Sequence, residues 1–272
     1  FGFSIANIGD LDGDGVNDLA VGAYNDDMDE DGNANSGSTA INRGAVHIIF
    51  MNTDGSIKEA KEINDYTANG PDLDVEDLFG QSVANIGDLN GDGVNDLAVG
   101  APRDDAGGNA QGAVHIIFMN TDGTVDSTVE INETTTEDLE LDATDRFGYS
   151  VANIGDLNGD GVNDLAVGAY QDNDGGADRG AVHIMFMNTN GSVKSTKEIN
   201  DTTTEGPVLR NSDLFGSSVA NIGDLDGNGV NDLAVGAVFD DMDELGNVAG
   251  ATNRGAVHIL FLHETTKPTV TI

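Results

Sequence analysis

The sequence lacks the residues that most often link a small extracellular fold together. None of its 272 residues is cysteine or tryptophan, and only four are proline. Without cysteine there can be no disulfide and no zinc–thiolate site. The longest mainly apolar run, 45–51, is far shorter than the roughly 20 residues that a membrane-spanning helix needs. No secretory leader pattern opens the chain, so we expect a mature fragment and no membrane insertion.

Basic residues are also scarce. Lysine and arginine number 11 against 49 aspartates and glutamates, which gives a formal net charge of −38. A surface of this sign repels nucleic acid and anionic membranes, so the composition predicts no nucleic-acid partner. It suits a salty medium, where a Debye length of about 8 Å or less weakens the repulsion between carboxylates.

What the chain has in abundance is an acidic loop that occurs four times. It begins at Asp10 as Asp-Leu-Asp-Gly-Asp-Gly-Val-Asn-Asp and returns from Asp88, Asp156 and Asp224. Side-chain oxygens stand at positions one, three, five and nine, and the carbonyl of position seven can join them. Glycine at position six permits the sharp turn. A curled loop of hard oxygen ligands is typical of a Ca²⁺ site.

The candidate ligands form four sets of five. They are Asp10, Asp12, Asp14, Val16 and Asp18 in the first loop; Asp88, Asn90, Asp92, Val94 and Asp96 in the second; Asp156, Asn158, Asp160, Val162 and Asp164 in the third; and Asp224, Asp226, Asn228, Val230 and Asp232 in the fourth. We therefore expect about four Ca²⁺ ions. The first loop, with four carboxylates, should bind most tightly.

Two alternatives apply to such a loop. An EF-hand needs a bidentate glutamate at position twelve and a helix on each side, whereas valine occupies that position here, within a segment of strand type. A single Asp/Asn/Gly turn often binds nothing. Four filled copies favour an ion, because uncompensated carboxylates would repel one another within each loop.

The loops belong to a long repeat. Phe-Gly recurs at Phe1, Phe79, Phe147 and Phe215, and each copy opens a unit of four short predicted strands without helical periodicity. This pattern predicts an all-β fold of four-stranded antiparallel β-propeller blades, with the calcium loops between strands one and two. We predict blades at 1–78, 79–146, 147–214 and 215–263, the last incomplete. Residues 264–272 would be a linker or the start of an immunoglobulin-like module, unless 269–272 supply the missing strand.

The Phe-Gly opening, the acidic loop and the Gly-Ala(-Pro) end of the second strand resemble the FG-GAP repeats of the integrin α-subunit head and related bacterial surface proteins. The resemblance covers essentially the whole chain and is fullest in the second unit, which ends Val99-Gly100-Ala101-Pro102. It implies a calcium-binding β-propeller with its metal loops on one rim. Integrin-type propellers have seven blades, whereas this chain shows four.

Two further features of the repeat have an open interpretation. The length differences fall between strands two and three, at 26–43 and 240–254, and predict solvated acidic loops, with extra calcium or a cationic partner as the alternatives. Histidine recurs once per unit in the third strand. We expect these histidines to pack, because they lie on different blades and cannot share one metal. They are His47, His115, His183 and His258.

The regularity of the repeat argues against catalysis, which normally needs one unusual group of residues rather than four equal ones. The sequence therefore predicts a non-enzymatic, calcium-stabilised module outside the cell or at its surface. It would serve adhesion or structural assembly by contacting an extracellular protein, a glycan or copies of itself. The alternative is a propeller domain of a secreted enzyme that acts on polysaccharides.

Overall fold

A computed structural model describes residues 1–27, 42–240 and 254–263. Most of the two inserted loops and all of residues 264–272 lie outside these ranges, as does the strand predicted at 269–272. Blade 1 contains β1 (Ser4–Gly9), β2 (Asp18–Ala23), β3 (Ala45–Met51) and β4 (Ile57–Ile63). Blade 2 contains β5 (Ser82–Gly87), β6 (Asp96–Ala101), β7 (Ala113–Met119) and β8 (Val125–Ile131).

The same order continues along the chain. Blade 3 contains β9 (Phe147–Gly155), β10 (Asp164–Ala169), β11 (Ala181–Met187) and β12 (Val193–Ile199). In blade 4 the described residues form β13 (Phe215–Gly223), β14 (Asp232–Ala237) and β15 (Ala256–Leu260). Within each blade, each strand pairs antiparallel with the next one in sequence.

The apolar core lies between blades. β-Branched and aliphatic residues cover both faces of the middle strands, as expected for sheets buried on both sides. Between blades 1 and 2, Ile48 and Phe50 of β3 pack in one cluster with Val99 of β6 and Ile117 of β7. Equivalent clusters join blade 2 to blade 3 and blade 3 to blade 4. Each sheet therefore depends on its neighbours for burial.

One glycine shows how closely the blades approach. A Cβ placed on Gly100 of β6 would lie 1.8 Å from the carbonyl oxygen of Gly148 in the next blade. The same carbonyl accepts a hydrogen bond from the Ser82 hydroxyl at 2.9 Å. The Gly of the Gly-Ala motif and the Gly of the Phe-Gly motif are thus required by a single backbone contact between blades.

The first strands of successive blades contact one another in the order β1, β5, β9, β13, which places them nearest the axis. A ladder of asparagine amides joins them: Asn85 donates to the Asn7 carbonyl, Asn153 to that of Asn85, and Asn221 to that of Asn153. The structure is a four-bladed all-β propeller, and the predicted fold class is confirmed. Within the described part of the chain, β13 makes no comparable contact with β1.

Candidate metal centres

The four acidic loops lie at the same end of their blades. Each connects the first strand to the second, so the stacking of the blades brings all four to one rim. The loops differ little in backbone, because the glycine at position six has φ of +90° in the first loop and +92° in the second. Few residues other than glycine adopt this conformation, which confirms the reason for glycine at that position.

The carboxylate at position one is held by the backbone of its own loop. In the second loop, Asp88 accepts hydrogen bonds from the Asp92 amide at 2.9 Å and the Gly93 amide at 2.8 Å. Asp10, Asp156 and Asp224 do the same in their loops. Backbone donors lower the pKa of Asp224, because they stabilise its charged form. The loop is therefore curled around an ionised carboxylate before any ion binds.

The carboxylate at position nine is buried and has a second task. Asp96 accepts one hydrogen bond from the Leu89 amide in its loop and another from the Met119 amide at the end of β7. Burial raises the pKa of Asp96 and of Asp164 to about 6. A buried carboxylate is costly to ionise without a nearby cation. Each carboxylate oxygen keeps a further lone pair with which it could bind one.

Positions three and five already attract cations. In the first loop the Lys58 ammonium lies 2.7 Å from an oxygen of Asp12 and 2.6 Å from an oxygen of Asp14. In the third, Lys194 lies 2.9 Å from Asp160. The lysine lowers the pKa of Asp14 chiefly through its hydrogen bond. The carboxylates at these positions are thus placed to hold a cation.

The ligand oxygens converge in the first and fourth loops. One oxygen each from Asp10, Asp12 and Asp18 lie within 4.8 Å of one another, and the same holds for Asp224, Asp226 and Asp232. Oxygens on opposite sides of a calcium ion, each about 2.3–2.6 Å from it, are separated by roughly 5 Å. The residues present therefore fit calcium. A contribution from the carbonyls of Val16, Val94, Val162 and Val230 stays a prediction.

Sequence reasoning missed the asparagine at position eight, which fixes the loop to the preceding blade. Asn95 donates to the Ile8 carbonyl at 2.9 Å, Asn163 to that of Ile86 at 2.9 Å, and Asn231 to that of Ile154 at 3.0 Å. The signal in the sequence was that asparagine recurs at position eight, between the candidate ligand positions seven and nine, in all four loops. Because this residue follows directly after position seven, an ion bound in the loop would act on the same segment as blade packing.

Stacked antiparallel blades, each with an acidic loop at one rim, define a β-propeller. The model of the FG-GAP repeat family matches residues 1–41, 79–117, 147–185 and 215–260. These segments make up more than half of the sequence, so the chain belongs to the FG-GAP repeat family, and the resemblance seen in the sequence is confirmed.

Several integrin α subunits are similar to this chain. Integrin alpha-PS2 of Drosophila melanogaster is 32% identical over 247 residues, which is 88% of this chain and 15% of the relative. Integrin alpha-5 of Xenopus laevis is 32% identical over 242 residues, 87% of this chain and 20% of the relative. Integrin alpha-6 of Homo sapiens is 35% identical over 207 residues. The chain thus spans a fifth or less of these relatives. Among its described residues there is no helix with the length and apolarity to cross a bilayer.

Proposed function

We propose that this chain is a calcium-stabilised, non-catalytic module that acts outside the cell or at its surface, in adhesion or structural assembly. The preformed oxygen-rich loops and the similarity to integrin α subunits support this proposal. Loops of this kind fill where calcium is abundant. An ion present at a hundred times its dissociation constant adds about 2.7 kcal/mol to the free energy of unfolding at each site.

For the assembly role, we propose that a second copy of the chain packs against the exposed outer faces of blades 1 and 4. The observation that carries this is the exposure of two complementary blade faces. On blade 1, Ile5 is 63% exposed, whereas its equivalent Val83 is 9% exposed. On blade 4, Val257 is 68% exposed, whereas its equivalent Val182 is fully buried. The exposed face of blade 4 is the one that blades 1 to 3 each bury against the next blade. The exposed face of blade 1 is the one that blades 2 to 4 each bury against the preceding blade. Blade 4 of one copy could therefore pack against blade 1 of another.

The polar groups at the two ends also match. Asn7 and Asn17 of blade 1 correspond to Asn85 and Asn95, whose amides reach carbonyls of the preceding blade. On blade 4, the carbonyls of Asn221 and Ile222 correspond to those that accept these bonds in blade 3. The contact between copies would continue an interface that the chain already forms three times. Two copies joined at both ends would close a ring of eight blades, within the range seen for propellers.

Gly236 offers a substitution that tests the contact without preventing folding. A Cβ on Gly236 meets only side-chain atoms, the nearest being the Ser218 hydroxyl, whereas a Cβ on the equivalent Gly100 meets the backbone of the next blade. In calcium, light scattering should give the parent twice the mass of one chain and give Gly236→Ala the mass of one chain. Equal melting temperatures of the parent and the variant, measured where both are monomeric, would show that the variant folds.

Other outcomes of this experiment are also informative. A monomeric parent in saturating calcium, or a Gly236→Ala protein that associates as the parent does, would show the docking proposal to be wrong. A larger assembly abolished by Gly236→Ala would support the contact and exclude the closed ring. Val257→Asp places a charge on the same face and should act like Gly236→Ala.

Separately, an unchanged melting temperature after complete calcium removal would contradict the stabilising role of the ion.

The enzymatic alternative has no observation in its favour among the described residues. Burial raises the pKa of Asp77 and of Asp145 to about 8, as often seen at catalytic carboxylates. These two residues occupy the same repeat position, and each accepts a hydrogen bond from the residue three places earlier. A role repeated in successive blades is structural. The loops at 26–43 and 240–254 that would build a cleft lie largely outside the described residues.

A further inference from the structure

A second group of side chains of metal-ligand type occurs at the end of the blades opposite the acidic loops. It combines an aspartate just after the second strand, the histidine of the third strand and a glutamate of the fourth. The three sets are Asp26, His47 and Glu62; Asp104, His115 and Glu130; and Asp172, His183 and Glu198. The sequence indicated only that the histidines lie on different blades. The structure shows that each has carboxylates within its own blade.

Strand register brings these groups together. Each histidine is the direct cross-strand partner of the glutamate in its blade. In blade 1, one donor atom each from Asp26, His47 and Glu62 lie within 4.8 Å of one another. In blade 3 the same is true of Asp172, Glu198 and a further carboxylate, Asp174.

Two of the histidines have buried ring nitrogens without a hydrogen-bond partner among the described residues. His115 is 1% exposed and neither of its ring nitrogens has such a partner; His183 is 2% exposed and its Nε2 has none. Nε2 lies 3.6 Å from the nearest Asp104 oxygen in blade 2 and 3.9 Å from that of Asp172 in blade 3. These gaps are too long for hydrogen bonds. Ligands at about 2.0–2.1 Å from a tetrahedral zinc ion are separated by roughly 3.4 Å.

The surroundings supply negative charge and fix the ligands. The Asn200 amide donates to Glu198, and the Asn132 amide donates to Glu130. Burial and the neighbouring carboxylates raise the pKa of Glu198 to about 7. In blade 3, Arg179 forms an ion pair with Asp201. A divalent cation would both accept the imidazole lone pair and balance the carboxylates.

We propose that blades 1 to 3 each hold a second cation site at this end, selective for a transition metal such as Zn²⁺ over Ca²⁺. Imidazole nitrogen is a good ligand for Zn²⁺, whereas calcium takes oxygen ligands. Blade 3 should bind most tightly because Asp174 adds a third carboxylate. In blade 4, His258 and Asp240 approach to 3.0 Å and bond directly, so the proposal does not extend to it.

The test is a Zn²⁺ titration of the full chain in saturating Ca²⁺, followed by calorimetry, with Co²⁺ absorption as a second probe of nitrogen ligation. The parent should bind about three equivalents, and His183→Gln should lose the tightest, weakening that site by about tenfold or more. Glu137→Gln, at an exposed acidic residue outside the cluster, should bind as the parent does.

Two measurements separate a lost site from a damaged fold. Ca²⁺ titration and melting of metal-free His183→Gln should match those of the parent. If they do not, the change in the NMR chemical shifts of the His183 ring nitrogens on adding Zn²⁺ to the parent reports ligation directly. No Zn²⁺ binding by the parent, equal binding by His183→Gln, or displacement of Zn²⁺ by millimolar Ca²⁺ would overturn the proposal.

Discussion

Each acidic loop uses its two terminal aspartates differently, although both have the same side chain. The carboxylate at position one is exposed and is held by amides of its own loop. The carboxylate at position nine is buried and links the loop to the third strand. Loss of the first should therefore affect mainly ion binding, whereas loss of the second affects binding and the sheet together.

We predict that Asp88→Ala removes one calcium equivalent from a total of about four. The position-one carboxylate orders the turn and supplies ligand oxygens, and alanine can do neither. The melting temperature in calcium should fall, because the stabilisation of about 2.7 kcal/mol from one well-filled site is lost. Calcium calorimetry and thermal unfolding are the measurements. Asp126→Asn, at an exposed residue of β8, is the charge-matched control, and an unchanged calcium count in Asp88→Ala would contradict the site.

At the scale of strands and blades, the stacked sheets are joined by side chains that the repeat places at each junction. The serine hydroxyl, the asparagine of the first strand and the asparagine of the loop all bond to backbone carbonyls of a neighbouring blade. These bonds set the relative position of the blades, while the apolar clusters supply most of the burial.

We predict that Asn163→Ala lowers the free energy of unfolding in calcium by about 1–2 kcal/mol. The substitution deletes the bond to the Ile86 carbonyl and leaves that carbonyl without this donor. The matched control is Asn17→Ala in the first loop, where the side chain is exposed among the described residues and the monomer should lose less than about 0.5 kcal/mol. Urea unfolding under monomeric conditions measures both. Equal losses would show that the contact between blades is not the cause.

The whole molecule carries a large negative charge together with several buried carboxyl groups. Burial raises the pKa of Asp145 to about 8, with Asp172 adding to the shift. It raises the pKa of Asp77 to about 8 as well, with a contribution from Asp104. In an unfolded chain these groups would titrate near pH 4. The folded state therefore binds their protons more tightly, and its stability from these groups is lost as the pH rises through about 8.

We predict that the calcium-free protein melts several degrees higher at pH 6 than at pH 8. His183 opposes this trend little in that range, since burial lowers its pKa to about 4 and the unfolded side chain titrates near pH 6.5. Thermal unfolding in metal-free buffers tests the sign. Asp145→Asn should be more stable than the parent at pH 8 and show a smaller pH dependence. A parent that melts higher at pH 8 would refute the assignment.

The sequence by itself determined the blades and their acidic loops. Strand periodicity, loop glycines and ligand spacing are local properties that each repeat carries four times, so one copy supports the interpretation of the others. The candidate ligand positions were predicted from the spacing, because alternate residues of a curled loop point inward. The family resemblance was visible for the same reason.

Only the tertiary structure decided which distant residues meet. Strand register puts His183 beside Glu198 and the turn after β10 puts Asp172 beside both, at sequence separations that no local pattern encodes. Blade stacking gave Asn95 its partner in another blade. It also leaves Ile5 and Val257 exposed, although the equivalent residues Val83 and Val182 of other blades are buried. Equivalent residues with the same sequence context differ here because burial depends on the neighbouring blade, and a neighbour is a property of the assembled fold.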